Sequence, residues 1–310
     1  MEKAKNYNIF VFSFVTLTII SYFFGFTINE NSAGGGEVDF KNTWRNLQTF
    51  KNYDLLDALK QTAVLDIEIF RSSRIPGVYV FHKFLNPFFQ NKEEFRLSVF
   101  LFSILIPVSF YFALRLRFKE TDKLSILLIS SLIFLSPYFR TSAIWGNEEN
   151  FGLLSLILSY IFFELFFSEK KSFKKLLYLN LLIFISAVCV YFDQKLIFVP
   201  ALCFVKIIFS NENNLIKIYS TLFYSLLALP VLYIINLWGG IMPPFDGGSR
   251  VAAGNNLYFQ HINYSTSIIG FYLLPLLLLI KDYSKNLKNL FNNKGYLLFL
   301  VSILIYSIYF

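Results

Sequence analysis

Apolar stretches of membrane-spanning length recur along the chain, and they constrain its fold more than any other feature of the sequence. A helix that crosses the hydrocarbon core of a bilayer needs roughly 20 mostly apolar residues. Stretches that approach this length lie at about 8–28, 95–117, 123–139, 150–168, 175–193, 195–210, 215–238, 263–280 and 295–310. Only 15% of the 310 residues are charged, against roughly 25% in soluble domains. The sequence therefore predicts an all-α integral membrane protein, with about nine transmembrane helices in a single domain over residues 1–310.

The positive charges between these stretches predict how the chain is oriented in the membrane, because cytoplasmic loops collect an excess of lysine and arginine. With the N-terminus in the cytoplasm, the cytoplasmic set is Lys3, Lys5, Arg115, Arg117, Lys119, Lys123, Lys170, Lys171, Lys174, Lys175, Lys217, Lys281, Lys285, Lys288 and Lys294. The net charge of +8 thus follows the membrane topology, which argues against a nucleic-acid partner. The abundance of Lys, Asn, Ile and Phe favours a bacterial inner membrane over the endoplasmic reticulum.

The first extracytoplasmic loop, at 29–94, is too long to be a simple connection. Within it, Phe40, Trp44 and Leu47 recur at helical spacing, which predicts an amphipathic helix lying in the membrane interface. A further apolar patch at 75–81 is too short to span the membrane and contains Pro and Gly. We expect this patch either to dip toward the membrane or to pack on the ends of the transmembrane helices.

Ionisable residues of the extracytoplasmic loops are the candidates for chemistry. The loop at 29–94, a second long loop at 238–262 and the short loops between them bring such residues to one face of the membrane. The carboxylates and the histidine of this set are Glu37, Asp39, Glu148, Glu149, Asp193, Asp246 and His261. Partial desolvation raises the pKa of a carboxylate at this depth toward the range useful for a general base. A simpler interpretation of each of these residues is that of a solvated loop residue. For Asp193, a simpler interpretation is a pair with Lys195 at the end of a helix.

Three cations, Arg140, Lys195 and Arg250, are predicted to lie on the same face. Arginine and lysine bind phosphate oxygens, arginine in bidentate fashion, so these residues are candidate phosphate ligands. Arg140 is equally consistent with an interfacial anchor. Cys189 and Cys203 lie in apolar stretches and are predicted to be free thiols. No cluster has the spacing of metal ligands, so neither a metal nor another cofactor is indicated.

Short motifs in this arrangement resemble those of the GT-C superfamily, polytopic glycosyltransferases that use polyprenyl- or dolichyl-phosphate sugars. Asp39 in the segment 36–40 (GEVDF), soon after the first helix, occupies a place similar to that of the catalytic base of that family. The segment 145–149 (WGNEE) looks like the one that carries its second acid. Within the superfamily, 74–79 (RIPGVY), 236–241 (NLWGGI) and, more loosely, 192–195 (FDQK) resemble the dolichyl-phosphate-glucose-dependent alpha-1,2-glucosyltransferases.

The resemblance implies an inverting transferase that moves a hexose from a polyprenyl-phosphate sugar to a glycan or lipid-linked acceptor at the extracytoplasmic face, among membrane lipids. It implies Asp39 as the general base, with Glu37, Glu148 and Glu149 supporting the acceptor or donor site, and it adds Arg74 to the phosphate-binding cations. The sequence has no DxD-like motif and no Gly-rich phosphate loop, which argues against a sugar-nucleotide donor.

Other interpretations stay open from the sequence. A multi-pass transporter or lipid flippase typically has ionisable or Gly- and Pro-broken positions near the middle of the membrane, whereas Glu164 and Lys206 lie near predicted cytoplasmic helix ends. A polymerase or ligase of lipid-linked glycans would share the lipid donor and would be favoured by a large late extracytoplasmic loop. The chain stops at Phe310, inside an apolar stretch, whereas members of the GT-C superfamily often carry further helices. An end of this kind is expected of a truncated chain.

Overall fold

The computed structural model describes residues 2–64, 72 and 74–240, and in these residues it contains α-helices, two short 3-10 helices and no strand. The α-helices are α1 (Glu2–Thr27), α2 (Gly36–Asn52), α3 (Leu55–Gln61), α4 (Gly77–Leu85), α5 (Lys92–Ser103), α6 (Leu105–Arg117), α7 (Lys123–Ser131), α8 (Pro137–Trp145), α9 (Glu149–Ser168), α10 (Ser172–Phe192), α11 (Phe198–Ile208) and α12 (Asn214–Trp238). The prediction of an all-α chain is therefore confirmed for this part of the protein.

In the residues that the structure describes, five helical segments are long and apolar enough to cross a membrane, or six if a bent pair of helices counts as one span. They are Asn6–Thr27, Lys92–Arg117, Glu149–Ser168, Ser172–Phe192 and Asn214–Trp238. Each corresponds to one predicted stretch, and their surfaces carry many exposed leucine, isoleucine and phenylalanine side chains. A surface of this kind is suited to lipid rather than to water. These five segments are those of a helical membrane protein.

The predicted helix at 123–139 is broken in the structure. The segment Lys123–Leu135 and the helix α8 meet at an angle of 62°. Ser136 has an extended backbone conformation and caps α8 through its hydroxyl, and Pro137 occupies the first turn. The proline ring disfavours the helical conformation for the residue before it, whereas proline itself fits the first helical position. The break therefore follows from Ser136-Pro137, which a count of apolar residues does not detect.

The predicted helix at 195–210 is also shorter than expected. A 3-10 helix, Gln194–Ile197, precedes α11, which has 11 residues. At 1.5 Å per residue, α11 is about 16 Å long, roughly half of the hydrocarbon thickness. The predicted stretches 263–280 and 295–310, and the loop at 238–262 beyond its first three residues, lie outside the described residues.

Polar contacts distinguish the two ends of the helical bundle. At one end Lys175 Nζ lies 2.7 Å from Glu212 Oε1, and the Tyr7 hydroxyl bonds to Ser125 at 2.8 Å. We call this the lysine-rich end, after Lys170, Lys171, Lys174 and Lys175. The opposite end, called the Arg74 end, joins the first loop to the helices. There the Trp238 indole N–H donates to Thr62 Oγ1 at 2.8 Å.

Helices α2, α3 and α4 cover the Arg74 end. Helix α2 lies where the amphipathic helix was predicted, and Phe40, Leu47 and Phe50 are buried on one of its faces. The patch at 75–81 packs on the helix ends, which was one of its two predicted arrangements. Gly77 approaches α10 so closely that a Cβ atom there would lie 2.4 Å from the carbonyl oxygen of Tyr191. Only glycine permits this contact.

Candidate functional site

An arginine and two adjacent carboxylates meet at the Arg74 end. Arg74 Nη2 lies 2.5 Å from Glu149 Oε1, and Arg74 Nη1 lies 3.8 Å from Glu148 Oε2. Asp193 is near enough to both Arg74 and Glu148 to influence their titration. The structure thus brings together four of the residues predicted from the sequence, and the first loop, the α8–α9 turn and the end of α10 each supply at least one.

The turn between α8 and α9 positions the two carboxylates. Helix α8 ends at Gly146, whose φ of 68° lies in the left-handed region that favours glycine, and Asn147 N–H returns to Ser142 O at 2.9 Å. Helix α9 begins directly afterwards at Glu149. Carboxylates at a helix N-terminus are stabilised by the helix dipole, so the sharp turn places acids where the backbone favours them.

The segment before α4 positions Arg74 by attachment to the end of α10. Ile75 N–H donates to Gln194 Oε1 at 3.0 Å, and Arg74 N–H donates to Ser72 Oγ at 3.1 Å. Together with the close approach of Gly77 to Tyr191, these contacts fix the backbone on both sides of the arginine. The Arg74 side chain is 21% exposed, so part of it is in contact with the surroundings.

Glu148 is buried and belongs to a chain of hydrogen bonds across three segments. The Tyr79 hydroxyl donates to Glu148 Oε1, and Asn46 Nδ2 donates to the Tyr79 hydroxyl oxygen at 2.7 Å. Glu148 is 7% exposed, and within the described part of the chain its second oxygen, Oε2, accepts no hydrogen bond. The sequence did not single out Tyr79 or Asn46. The signal that could have indicated this chain of hydrogen bonds was Asn46, an amide on the apolar side of α2.

The electrostatics of the cluster leave Glu148 close to its titration point at neutral pH. The pKa of Glu148 is raised to about 7. Burial is the largest cause, Arg74 and the Tyr79 hydrogen bond lower the pKa, and the charges of Glu149 and Asp193 raise it. Burial opposes the charge on Arg74, yet its pKa is raised because Glu149 and Glu148 outweigh burial. The cluster therefore holds a permanent cation beside a carboxylate that exchanges its proton near neutral pH.

Glu149 and Asp193 are more accessible than Glu148. The Glu149 side chain is 47% exposed, and Ser142 Oγ donates to its Oε2 at 3.1 Å. Asp193 is half-buried, and its Oδ1 accepts the backbone N–H of Lys195 at 3.1 Å, so it caps the 3-10 helix. This contact gives Asp193 a helix-end role through the backbone of Lys195, whose side chain is exposed.

Asp39 and Glu37 lie in the first turn of α2, and both are exposed. Glu37 forms an ion pair of 3.0 Å with Lys41. Asp39 precedes Asn46 by seven residues, so the two side chains lie on the same side of α2, about 10 Å apart along its axis. Helix α2 therefore connects the predicted general base to the hydrogen-bond chain of Glu148.

Arg140 lies in a separate buried network. Its guanidinium makes five hydrogen bonds, to Glu30, to the hydroxyl and carbonyl of Ser21 and to the carbonyl of Phe134. The hydrogen bonds from Arg140 lower the pKa of Glu30. Because every N–H of the guanidinium has a partner, binding of phosphate at Arg140 would require this network to open. The structure therefore gives Arg140 the role of an anchor between α1 and α8.

The remaining predicted site residues, Asp246, Arg250 and His261, lie outside the described residues. Within residues 2–64, 72 and 74–240, no group of three or more His, Cys, Asp or Glu side chains is arranged to hold a metal ion. Comparisons of the chain with known protein families, with curated proteins and with solved structures give no match. The resemblance to the GT-C superfamily accordingly depends on the motifs of the sequence and stays a prediction.

Proposed function

We propose that the chain is an inverting membrane glycosyltransferase of the GT-C type. It transfers a hexose from a polyprenyl-phosphate sugar to a glycan or lipid-linked acceptor. In this proposal the N-terminus is cytoplasmic and the Arg74 end is extracytoplasmic, in a bacterial inner membrane. The lysine-rich end then faces the cytoplasm, in agreement with the positive-inside rule.

The observation that best supports this proposal is the position of Arg74. A lipid-linked donor presents its phosphate at the membrane surface, at the level where apolar helices end. Arg74 lies at the ends of α9 and α10, is fixed on both sides and is partly exposed. Its guanidinium has the planar shape that binds two phosphate oxygens at once. An arginine at this level can hold the donor without a nucleotide-binding domain.

The proposed reaction assigns roles to Asp39 and to Arg74. The acceptor hydroxyl attacks the anomeric carbon and passes its proton to Asp39. The new bond joins the acceptor oxygen to this carbon, and the bond from the carbon to the phosphate oxygen breaks. The polyprenyl phosphate leaves with the electron pair, and Arg74 stabilises its negative charge. Attack from the opposite side of the ring inverts the anomeric configuration.

The test measures transfer of radiolabelled sugar from polyprenyl-phosphate glucose or mannose in membranes that contain the full chain. Loss of a general base lowers a rate by roughly 10²- to 10⁴-fold, so we expect Asp39→Asn to lose transfer by that factor. Asp57→Asn is the matched control, because Asp57 is an exposed acid of the same helical layer, paired with Lys60 at 2.8 Å. An Asp39→Asn variant that folds and transfers sugar at the wild-type rate would sink the proposed role of Asp39.

A second candidate function is a multi-pass transporter or lipid flippase without covalent chemistry. The buried carboxylate of Glu148 favours this candidate, because proton-linked carriers use buried acids that titrate near neutral pH. Glu164 disfavours it, since its contacts with Tyr160 and Arg117 place it close to the lysine-rich end rather than in the middle of a helix. Movement of the labelled lipid across vesicle membranes, with no covalent transfer, would favour the transporter.

A further inference from the structure

The Oε2 atom of Glu148 is a buried polar atom that faces a cation in the described structure. It accepts no hydrogen bond from the described residues and faces Arg74 Nη1 at 3.8 Å. The other oxygen of the same carboxylate is already bound by Tyr79. Arg74 is thus the group that compensates the charge on this side of Glu148.

Charged and titratable groups reach Glu148 from each segment that surrounds it. They are Arg74 from the segment before α4, Tyr79 from α4, Glu149 from α9 and Asp193 from the end of α10. Among the residues that the structure describes here, one cation therefore serves three carboxylates. Tyr79 stays neutral because burial and the nearby Glu148 raise its pKa. An anionic ligand brought to Arg74 would enter a region that already has an excess of negative charge.

We propose that binding of the phosphodiester donor at Arg74 is coupled to the uptake of one proton by Glu148 at Oε2. The inference rests on the proposed function, since it takes the donor to be the ligand of Arg74. A phosphate that engages the guanidinium removes the cation that compensates Glu148. A buried carboxylate without a compensating charge is costly, and protonation removes that cost.

The hydrogen bonds identify Glu148, and its Oε2 atom, as the place where the proton is taken up. Asn46 donates to the Tyr79 hydroxyl, so the single proton of Tyr79 is committed to Glu148 Oε1. Glu149 is half-exposed and keeps the hydrogen bond from Ser142 when Arg74 turns to a ligand. Glu148 has neither solvent nor a second donor at Oε2, and its pKa of about 7 leaves it ready to bind a proton.

The test is calorimetric titration of the purified full chain in lipid nanodiscs with the decyl phosphodiester of glucose. This probe keeps a single negative charge from pH 6 to pH 9, so any pH dependence belongs to the protein. If the complex keeps the proton over this range, the wild-type affinity falls by a factor that approaches tenfold per pH unit above pH 7, or about 50-fold from pH 7 to pH 9. Titrations in two buffers with different ionisation enthalpies count the protons directly.

Glu148→Gln mimics the protonated acid, so we expect its affinity to change by less than about threefold over the same range. Its amide oxygen can still accept the Tyr79 hydrogen bond, which favours normal folding. Glu94→Gln is the matched control, an exposed acid at the same end of the bundle, and is expected to behave as the wild type.

A pH-independent wild-type affinity, or a proton count of zero, would overturn the coupling. A steep pH dependence retained by Glu148→Gln would also overturn it, and no binding to the wild type at pH 6 would overturn the anion site itself. If Glu148→Gln does not fold, the proton count on the wild type still decides the coupling. Proton-coupled binding without sugar transfer to any acceptor would contradict the transferase and leave this inference intact.

Discussion

Two arginines at the same end of the bundle, Arg140 and Arg74, contact carboxylates in very different ways. Arg140 is buried and satisfied by five hydrogen bonds, with Glu30 as its one carboxylate partner. Arg74 is partly exposed, shares its charge among three carboxylates and leaves one oxygen of Glu148 without a hydrogen bond. A balanced pair with complete hydrogen bonding fixes helices. A group whose charges are not balanced, and which keeps a polar atom without a hydrogen bond, can accept a ligand.

The comparison also separates two roles that the sequence assigned together. Arg140 and Arg74 were both candidate phosphate ligands, Arg140 as a cation of a predicted extracytoplasmic loop and Arg74 through the resemblance to the GT-C superfamily. Their surroundings differ in burial and in the number of available N–H groups, which depend on residues far away in the sequence, such as Ser21 for Arg140. The distinction is therefore one of partners rather than of residue type.

The largest effect is expected from Arg140→Ala, which tests whether the Arg140 network is structural. The variant leaves Glu30 and two carbonyl groups without their donor, so we expect a loss of roughly 3–5 kcal/mol of stability. Unfolding by SDS in mixed micelles can be followed by thiol labelling, because Cys189 and Cys203 are both buried and free.

Arg74→Ala provides the contrast for Arg140→Ala. At pH 6 its loss of stability should be clearly smaller, since Glu148 can take up a proton and Glu149 is half-exposed. Equal losses for the two variants would contradict the difference drawn between the two arginines.

A second, smaller effect concerns the pH dependence of stability. The pKa of Glu148 is raised from 4.5 to about 7 in the folded protein, so the folded state binds this proton more tightly than the unfolded state. Its stabilising effect is complete below about pH 4.5 and is lost as the pH rises through 7, on the order of 3 kcal/mol in all. Glu148→Gln should remove this loss, so the variant is expected to exceed the wild type in stability at pH 8.

The measurement is SDS unfolding of the two proteins at pH 5.5 and pH 8, with Glu120→Gln as the control. Glu120 is an exposed acid in the turn between α6 and α7, and its replacement should leave the wild-type pH dependence unchanged. A wild type whose stability increases between the two pH values would show that Glu148 is not the dominant titrating group.

The smallest effect is expected from Tyr79→Phe, which sharpens the comparison by removing one hydrogen bond of the Glu148 carboxylate. A single buried hydrogen bond contributes about 1 kcal/mol. Because the Tyr79 hydroxyl stabilises the ionised form of Glu148, its loss should raise the pKa of Glu148 further. The pH midpoint of the stability change should then move upward, and a downward move would refute this role of Tyr79.

The sequence predicted the parts of the fold that depend on composition and periodicity. Five apolar stretches correspond to helices of membrane length, and the spacing of Phe40, Trp44 and Leu47 predicted α2. The structure differs from the predicted continuous helices where local backbone chemistry interrupts an apolar run. Ser136-Pro137 breaks one helix, and the 3-10 helix beginning at Gln194 shortens another.

For the site, the sequence predicted Glu148, Glu149, Asp193 and Arg74 but gave no indication of how they meet. The link between them is Tyr79 with Asn46, an aromatic residue in an apolar patch and an amide within an amphipathic helix. Their partners lie 69 and 33 residues away along the chain, and no local pattern reports contacts at that separation. The buried, half-satisfied state of Glu148 follows from those contacts, so only a three-dimensional structure could reveal it.

The attachment of the Arg74 segment to the end of α10 has a consequence for biogenesis. The partner of Arg74 at Glu149 is synthesised 75 residues later, and the partner of Ile75 at Gln194 follows 119 residues later. At a translation rate of roughly 5–20 residues per second, Glu149 is synthesised about 4–15 s after Arg74, and Gln194 about 6–24 s after Ile75. During this interval the ribosome and the insertion machinery hold a nascent chain in which Arg74 has not yet met Glu149, so the site can form only after residue 194 has been synthesised.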